Sequence, residues 1–306
     1  MIRTGLSAIA VFELGACTTT ETVNLLPEST AELGGAFATG GNNTGTGGTN
    51  TSGSNNPAGG ASSRSSTGTR VDNLPLELIH RYDFSGTGTE VVDRAGGESG
   101  VILGGATLDG SDALTLNDGV SYVRLPSWLI KNARLSSLTI ATWITWQGGS
   151  SWQRVFDFGA TNEGTDEPGT ALSQFYFTPK FEPFQHYSTL FDGYCNTDGQ
   201  ATIEGNTSFP VDTQTAVVVV VDGDESAGTT TLRLYLDGVE VGTSETIPQR
   251  LTAFTDQNCW LGQSQWTQEN NALQHFHGSY DEFRIYSRAL TAEEVGNLSL
   301  TDPTTL

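Results

Sequence analysis

The sequence predicts an all-β, two-sheet antiparallel sandwich over residues 73–306, closed by one short C-terminal helix. Three observations carry this prediction. From Val71 onward, short apolar or alternating runs recur roughly every 8–15 residues, the rhythm of strands in a sandwich. Gly and Asp-Gly pairs punctuate those runs, as tight turns between antiparallel strands require. One run, AVVVVVD at 216–222, is apolar on both faces, which suits a strand in the middle of a sheet covered on both sides.

In chain order, LELIHRYDF (76–84) supplies a first strand, and ALTLNDGVSYVRLP (113–126) supplies two short strands around Asp118 and Gly119. SLTIATWITWQ (137–147) is long and places Leu138, Ile140, Ile144 and Trp146 on one face, so that Trp143 and Trp146 read as packing residues. WQRVFDFG (152–159) follows, and then the central run at 216–222. TLRLYLDGVEVG (231–242) is a hairpin that turns Leu232, Leu234 and Leu236 inward and reverses at Asp237-Gly238. HGSYDEFRIYS (277–287) makes the last strand. TAEE (291–294) is a capping box, with Thr291 as N-cap and Glu294 at N3, and starts a helix of a turn or two that stops before Gly296.

The first 72 residues have a different texture. Behind Arg3, GLSAIAVFELGA is apolar but too short to span a bilayer, and reads as a secretory signal. LGAC (14–17) resembles a bacterial lipobox, whose Cys17 becomes the lipid-modified N-terminus. Glu13 inside the apolar run and the single preceding base depart from that pattern, and leave open a plain secretory signal with an incidental Cys17. Residues 18–72 read as a disordered tether: from 33 to 63 there is no charged residue, only a Gly-, Asn-, Thr- and Ser-rich stretch that cannot offset chain entropy by burying apolar surface. A tether of this length reaches roughly 40 Å. Anchor and tether explain each other and place the protein at the bacterial cell envelope, exported and touching the membrane through its lipid alone.

Fourteen basic residues against thirty-five acidic give a net charge of −21. That excludes a nucleic-acid partner, which would need a basic surface. It suits an extracytoplasmic protein and divalent-cation binding, and equally an acidic surface without a partner. With Cys17 lipidated, Cys195 and Cys259 remain of the three Cys. Export to an oxidising compartment favours a disulfide between them; two buried free thiols are the alternative.

Hydrolysis of glycosides needs two carboxyls about 5 Å or roughly 6.5–9.5 Å apart. Asp281 and Glu282 are adjacent, and a regular strand sends neighbours to opposite faces, leaving Glu282 on the side of Arg284. Asp222 and Asp224 have the i, i+2 spacing but fall in DGDESAG, which reads as a turn. Asp157, between Phe156 and Phe158, reads as a structural acid, paired with Arg154 or capping a loop. His275 and His277 share a face but lack a third ligand at characteristic spacing. The expectation is therefore a non-enzyme. Glycan binding calls for aromatic faces beside hydrogen-bonding side chains. Trp152 and Trp266 lie in polar settings next to Gln153, Gln265, Asn270 and Asn271, with Tyr194 as a third aromatic; packing remains the competing role for Trp152.

The order YDF, VRLP, SLTIATWITW, WQRVFDFG, FYFTP, LRLYLDGVEVG and GSYDEFRIYSRALTAEEV resembles the laminin-G-like jelly roll of the concanavalin A-like lectin/glucanase superfamily. It is most similar to bacterial LamG-like domains, over about residues 73–300. The resemblance implies two packed antiparallel sheets in a superfamily that binds glycans, proteins or calcium and in some branches hydrolyses polysaccharides. It also implies a calcium ion held by Asp83, Asp93 and Asp281, although DRAGGESG (93–100) lacks the Asn ligands of the family's usual turn. The expected function is a non-catalytic extracytoplasmic module that binds polysaccharide or surface glycan with calcium support. A surface protein that adheres to other proteins, and a divergent glycoside hydrolase, are the alternatives.

Overall fold

The computed structural model describes residues 77–181, 187–192 as backbone, 200–266, 275–301 and 303. The signal and lipidation site at Cys17, the tether, Tyr194, Cys195, Asn270 and Asn271 lie outside the described residues. The strands are β1 (Leu78–Tyr82), β2 (Thr87–Gly88), β3 (Glu90–Val91), β4 (Gly100–Leu103), β5 (Leu108–Asp109), β6 (Leu114–Leu116), β7 (Tyr122–Leu125), β8 (Leu138–Trp146) and β9 (Phe156–Thr161). They continue as β10 (Ala171–Thr178), β11 (Tyr187–Asp192), β12 (Gln200–Glu204), β13 (Gln214–Asp224), β14 (Thr229–Leu236), β15 (Val239–Thr243), β16 (Asn258–Leu261) and β17 (Gly278–Tyr286). Two helices join them, α1 (Leu129–Ala133) and α2 (Ala292–Ser299).

Two antiparallel sheets form the predicted jelly-roll sandwich. The smaller runs β1-β17-β8-β13-β14-β15, with β6 also paired to β17; the larger runs β12-β11-β10-β9-β16-β7-β4-β3. Alternate residues of each strand face the space between the sheets. Leu138, Ile140, Ile144 and Trp146 of β8, Val217, Val219 and Val221 of β13, and Phe283 and Ile285 of β17 meet Phe156, Phe158, Phe175, Phe177, Cys259 and Leu261 from the larger sheet.

The unbroken apolar run of β13 has a direct cause. Ala216, Val218 and Val220 face away from the sandwich core and pack, with Ala141, Trp143, Tyr235 and Tyr286, under Leu290, Val295 and Leu298 of the C-terminal segment. Both faces of the central strand are thus covered, one by the other sheet and one by α2. The capping box forms as expected: Thr291 accepts from the Glu294 backbone, and the Glu294 side chain accepts from Thr291 N. Arg288 pairs with Glu294 at 2.6 Å and, with the Thr291 bonds, holds that carboxyl down at about 2 against the effect of burial.

Three local features differ from the sequence reading. First, α2 runs through Gly296 to Ser299. A Cβ on Gly238 of the β14–β15 turn would come 3.1 Å from Gly296 Cα, so the helix backbone packs closely on that turn, and this contact offsets the ~1 kcal/mol helix penalty of glycine. Second, the two short strands around Asp118-Gly119 form as read, but they do not pair with each other: β6 pairs β17 in one sheet and β7 pairs β16 and β4 in the other, so the turn carries the chain between sheets. Third, α1 is a helix the sequence reading did not include, and it has no local side-chain cap. Its Ile130 and Lys131 N–H groups instead donate to Asp256 at 2.6 and 3.0 Å, an acid more than a hundred residues away in sequence.

Candidate functional site

On the larger sheet the register aligns Arg124 of β7, Trp260 of β16, Asp157 of β9 and Tyr176 of β10 in one row. Their inward neighbours Phe156, Phe158, Phe175, Phe177, Cys259 and Leu261 fill the core, so this row belongs to the outer face. An outer face of a sandwich is ordinarily wet, yet Asp157 and Trp260 are fully buried. The loop after β9 and the segment after β16 close over them, joined by Gly169 N donating to Gln265 O at 2.8 Å and by a bridge between Gly169 and Trp266.

Asp157 organises this face. Its Oδ2 accepts from Arg154 Nε at 3.2 Å, Gln174 Nε2 at 3.0 Å and Gln265 N at 2.9 Å. Gln265 Nε2 donates back to the Asp157 carbonyl at 3.1 Å. Oδ1 has no hydrogen-bond partner among the described residues. Burial pushes the carboxyl up to about 6, against the opposing pull of Arg154 and the amide donors. The pairing with Arg154 expected from sequence is present.

Arg154 carries that organisation to the rim. Its guanidinium lies 3.8 Å from the Tyr176 ring centroid and 5.4 Å from that of Trp152, and Nη1 donates to Trp152 O at 3.0 Å. Trp152 sits at φ 71, a strained value for a bulky residue. It is held there by a backbone bond to Lys180 O and an edge-on contact with Phe181, centroids 4.7 Å apart. Trp152 and Trp266 are both partly exposed. A continuous path of contacts links them: Trp152 to Arg154 to Asp157 to Gln265, the residue before Trp266. Two neighbours expected to serve a ligand serve the fold instead. Gln153 Oε1 accepts from Trp146 Nε1 at 2.7 Å, and Gln265 is bound to Asp157 and Asn258. Tyr176 and Gln174 were missed from sequence, although FYFTP alternates and so sends Tyr176 outward.

The expected calcium set is not assembled. Asp93 Oδ1 accepts the N–H groups of Arg81, Ala95 and Gly96 at 2.9–3.1 Å, while Oδ2 meets His80 Nδ1 at 2.8 Å and Glu98 N at 3.1 Å. Burial alone would raise this carboxyl; the donors outweigh it and hold it below the usual range. Asp83 accepts from Ser85 and pairs with Arg94 at 3.0 Å. Asp281 accepts from Gln214 Nε2 at 3.0 Å. Among the described residues no group of three or more His, Cys, Asp or Glu is placed to hold a metal. The three acids do not fit one calcium: donors already engage Asp83 and Asp93, and Asp281 is not gathered with them as a shared cation would need.

Asp281 and Glu282 also depart from expectation. The β17–β8 register steps from Tyr280 opposite Ile144 to Glu282 opposite Trp143, leaving Asp281 as the extra residue of a β-bulge. Both acids therefore face outward: Asp281 lines a cleft with Trp143 and Ala216, and Glu282 lies buried between Arg81 Nε at 2.7 Å and Arg284 Nε at 2.9 Å. The expected Glu282–Arg284 pairing is present; the opposite-face placement is corrected.

The disulfide expected between Cys195 and Cys259 is corrected at its described end. Cys259 is a free thiol, 1% exposed, that points into the core and donates to Asp256 O at 3.4 Å.

Residues 117–296 match the family described as the concanavalin A-like lectin/glucanases superfamily. Domain 4 of a GH43 extracellular arabinanase from Geobacillus stearothermophilus, in complex with arabinotriose, is similar at 22% identity and TM-score 0.53, covering 73% of this chain and 98% of that one. A Trypanosoma rangeli sialidase in complex with 2,3-difluorosialic acid is similar at 13% identity and TM-score 0.52, over 73% of this chain and 33% of the sialidase. The binding domain of botulinum neurotoxin DC, in complex with rat synaptotagmin II, is similar at 13% and TM-score 0.51, over 73% and 51%. At these identities the likeness is one of fold. No curated protein matches the chain in sequence.

Proposed function

The chain belongs to the concanavalin A-like lectin/glucanase superfamily, and we propose that it is an exported, non-catalytic module that binds polysaccharide or surface glycan on the outer face of its larger sheet. The observation that carries this is the pair of partly exposed aromatics, Trp152 and Trp266, braced from beneath by buried Tyr176, Arg154 and Asp157. Rigid aromatic rings next to fixed polar groups match the needs of a sugar, whose ring faces are apolar and whose edge is hydroxylated. Domain 4 of the arabinanase, with its bound arabinotriose, supports the same reading. Lipidation at Cys17 and the tether of residues 18–72 would keep the module at the envelope.

Affinity electrophoresis through arabinan and other polysaccharides tests the proposal. Retention by the parent should weaken at least tenfold in Trp152→Ala, since removing a central aromatic anchor typically forfeits ~1–3 kcal/mol. No retention by any polysaccharide would sink the lectin reading. Release of reducing ends during the same incubation would replace the module with a hydrolase.

A further inference from the structure

A short strap lies across the outer face of the larger sheet and covers polar groups left without partners among the described residues. Residues 162–168, NEGTDEP, leave β9 and reach over β16 to β7 before Gly169 docks on Gln265. Asp166 N donates to Asn258 Oδ1 at 2.7 Å, Asn258 Nδ2 donates to Gly164 O at 3.2 Å, and Gln257 Nε2 donates to Thr165 Oγ1. Asp166 Oδ2 accepts from Arg124 Nη1 at 3.0 Å. Arg124 is the register partner of Trp260, and Asn258 lies two residues before it on the same strand, so the strap is latched to two neighbours of that indole.

Beneath the strap, Asp157 and Trp260 are register partners on β9 and β16, both fully buried. Asp157 Oδ1, an acceptor, and Trp260 Nε1, a donor, are both sealed from solvent with no hydrogen-bond partner among the described residues. Two such groups work against the closed strap, because water would satisfy both once it lifted. The strap adds little to hold itself down. It has no large apolar side chain, and none of residues 162–168 is buried. Its ion pair joins two partly exposed groups, a kind that contributes little stability. Opening also uncovers the Trp260 ring, and that apolar surface favours closure until a ligand covers it.

We propose that residues 162–168 are a lid over a concealed sugar subsite, opened when a polysaccharide chain replaces the strap on Asp157 and Trp260. The inference rests on the glycan reading of this face and adds a closed position to it. A sugar unit matches what the lid leaves unsatisfied. Its apolar ring face covers the Trp260 indole, and one hydroxyl accepts from Trp260 Nε1 while donating to Asp157 Oδ1. A chain that touches both Trp152 and Trp266 passes this position, since Asp157 joins the two through Arg154 and Gln265. Binding and opening are then coupled: whatever raises the open fraction lowers the apparent Kd by the same factor while the closed form predominates.

Hydrogen–deuterium exchange of the intact chain, free and incubated with arabinan, xylan or a mixed-linkage β-glucan, tests it. A ligand that docks on a rigid face protects the segments it touches. Here the amides of 164–167 should instead exchange about tenfold faster in the complex, because Asp166 N loses its bond to Asn258. Asp166→Asn, a residue that tolerates φ 63, combined with Gln257→Ala removes two latches and leaves Trp152, Trp260 and Trp266 in place. This double variant should speed exchange of the same amides in the free chain and tighten polysaccharide retention by matching factors, roughly three- to tenfold. Binding that is lost in Trp152→Ala, yet leaves the strap amides slowed or unchanged and is indifferent to the double variant, keeps the glycan reading and overturns the lid. Faster exchange in the double variant without tighter binding overturns it as well. Binding of none of the three polysaccharides overturns the lid together with the glycan reading.

Discussion

Replacing Asp157 by Asn should change how stability depends on pH, and the structure sets both sign and size. Asp157 is fully buried, one carboxylate oxygen is unpartnered, and its folded-state pKa stands at about 6. An Asp in an unfolded chain titrates near 3.9. Between those values the folded protein binds more protons than the unfolded one, so stability falls as pH rises through the window from about 4 to 6. Two units at 1.36 kcal/mol each amount to about 3 kcal/mol. Asn cannot titrate, so this slope is missing from the variant. Asp256 is also raised to about 6 by burial, but it is present in both proteins and cancels in their difference. Urea unfolding of parent and variant at pH 4 and pH 7.5 gives that difference directly. The stability advantage of the parent over Asp157→Asn should shrink by about 2.4 kcal/mol between these two pH values, most of the ~3 kcal/mol available, with its midpoint near pH 5. An advantage that grows with pH would mean that Arg154 dominates and holds the carboxyl low; one that stays flat would mean that the site is solvated. Either result refutes the account of Asp157 as a desolvated brace.

Two other outcomes follow from buried groups. Glu282 is 1% exposed and bridges Arg81 and Arg284, so Glu282→Gln should destabilise by about 3–5 kcal/mol in denaturant titration, as breaking a buried pair does; a loss under ~1 kcal/mol would mean that the guanidiniums are hydrated. Cys259 is buried and its thiol is raised well above its ordinary value by burial beside Asp256, so a thiol reagent at pH 8 should label it only as the protein unfolds, and fast labelling of the native fold would contradict its placement in the core.

The fold was legible because its signals are local and repeat. Alternation in 137–147 and 231–242, the two-faced run at 216–222 and the capping box at Thr291 each state a physical requirement within a few residues, and each element formed. What escaped the sequence reading depends on contacts made at long range. α1 is capped by an acid about 125 residues later in the chain. Gly296 stays helical because a turn from β14–β15 packs on it. The candidate sites belong to this second kind. Tyr176, Arg154 and Gln265 become one arrangement only when three separate segments fold against the buried Asp157. DE at 281–282 is the sharpest case. Strand periodicity alone sends the two acids to opposite faces, and that inference is sound for a regular strand. A single extra residue in β17 reverses it, because a bulge shifts the side-chain phase by one position while leaving the pairing on either side intact. Nothing in SYDEFRIY marks the bulge, since Tyr280, Phe283 and Ile285 all still reach the core. The shift leaves Glu282 bridging two arginines within the outer layer and turns Asp281 outward, where it accepts from Gln214. Two adjacent acids on one face thereby take different surroundings: one is buried between two arginines, and the other is half-buried against an amide.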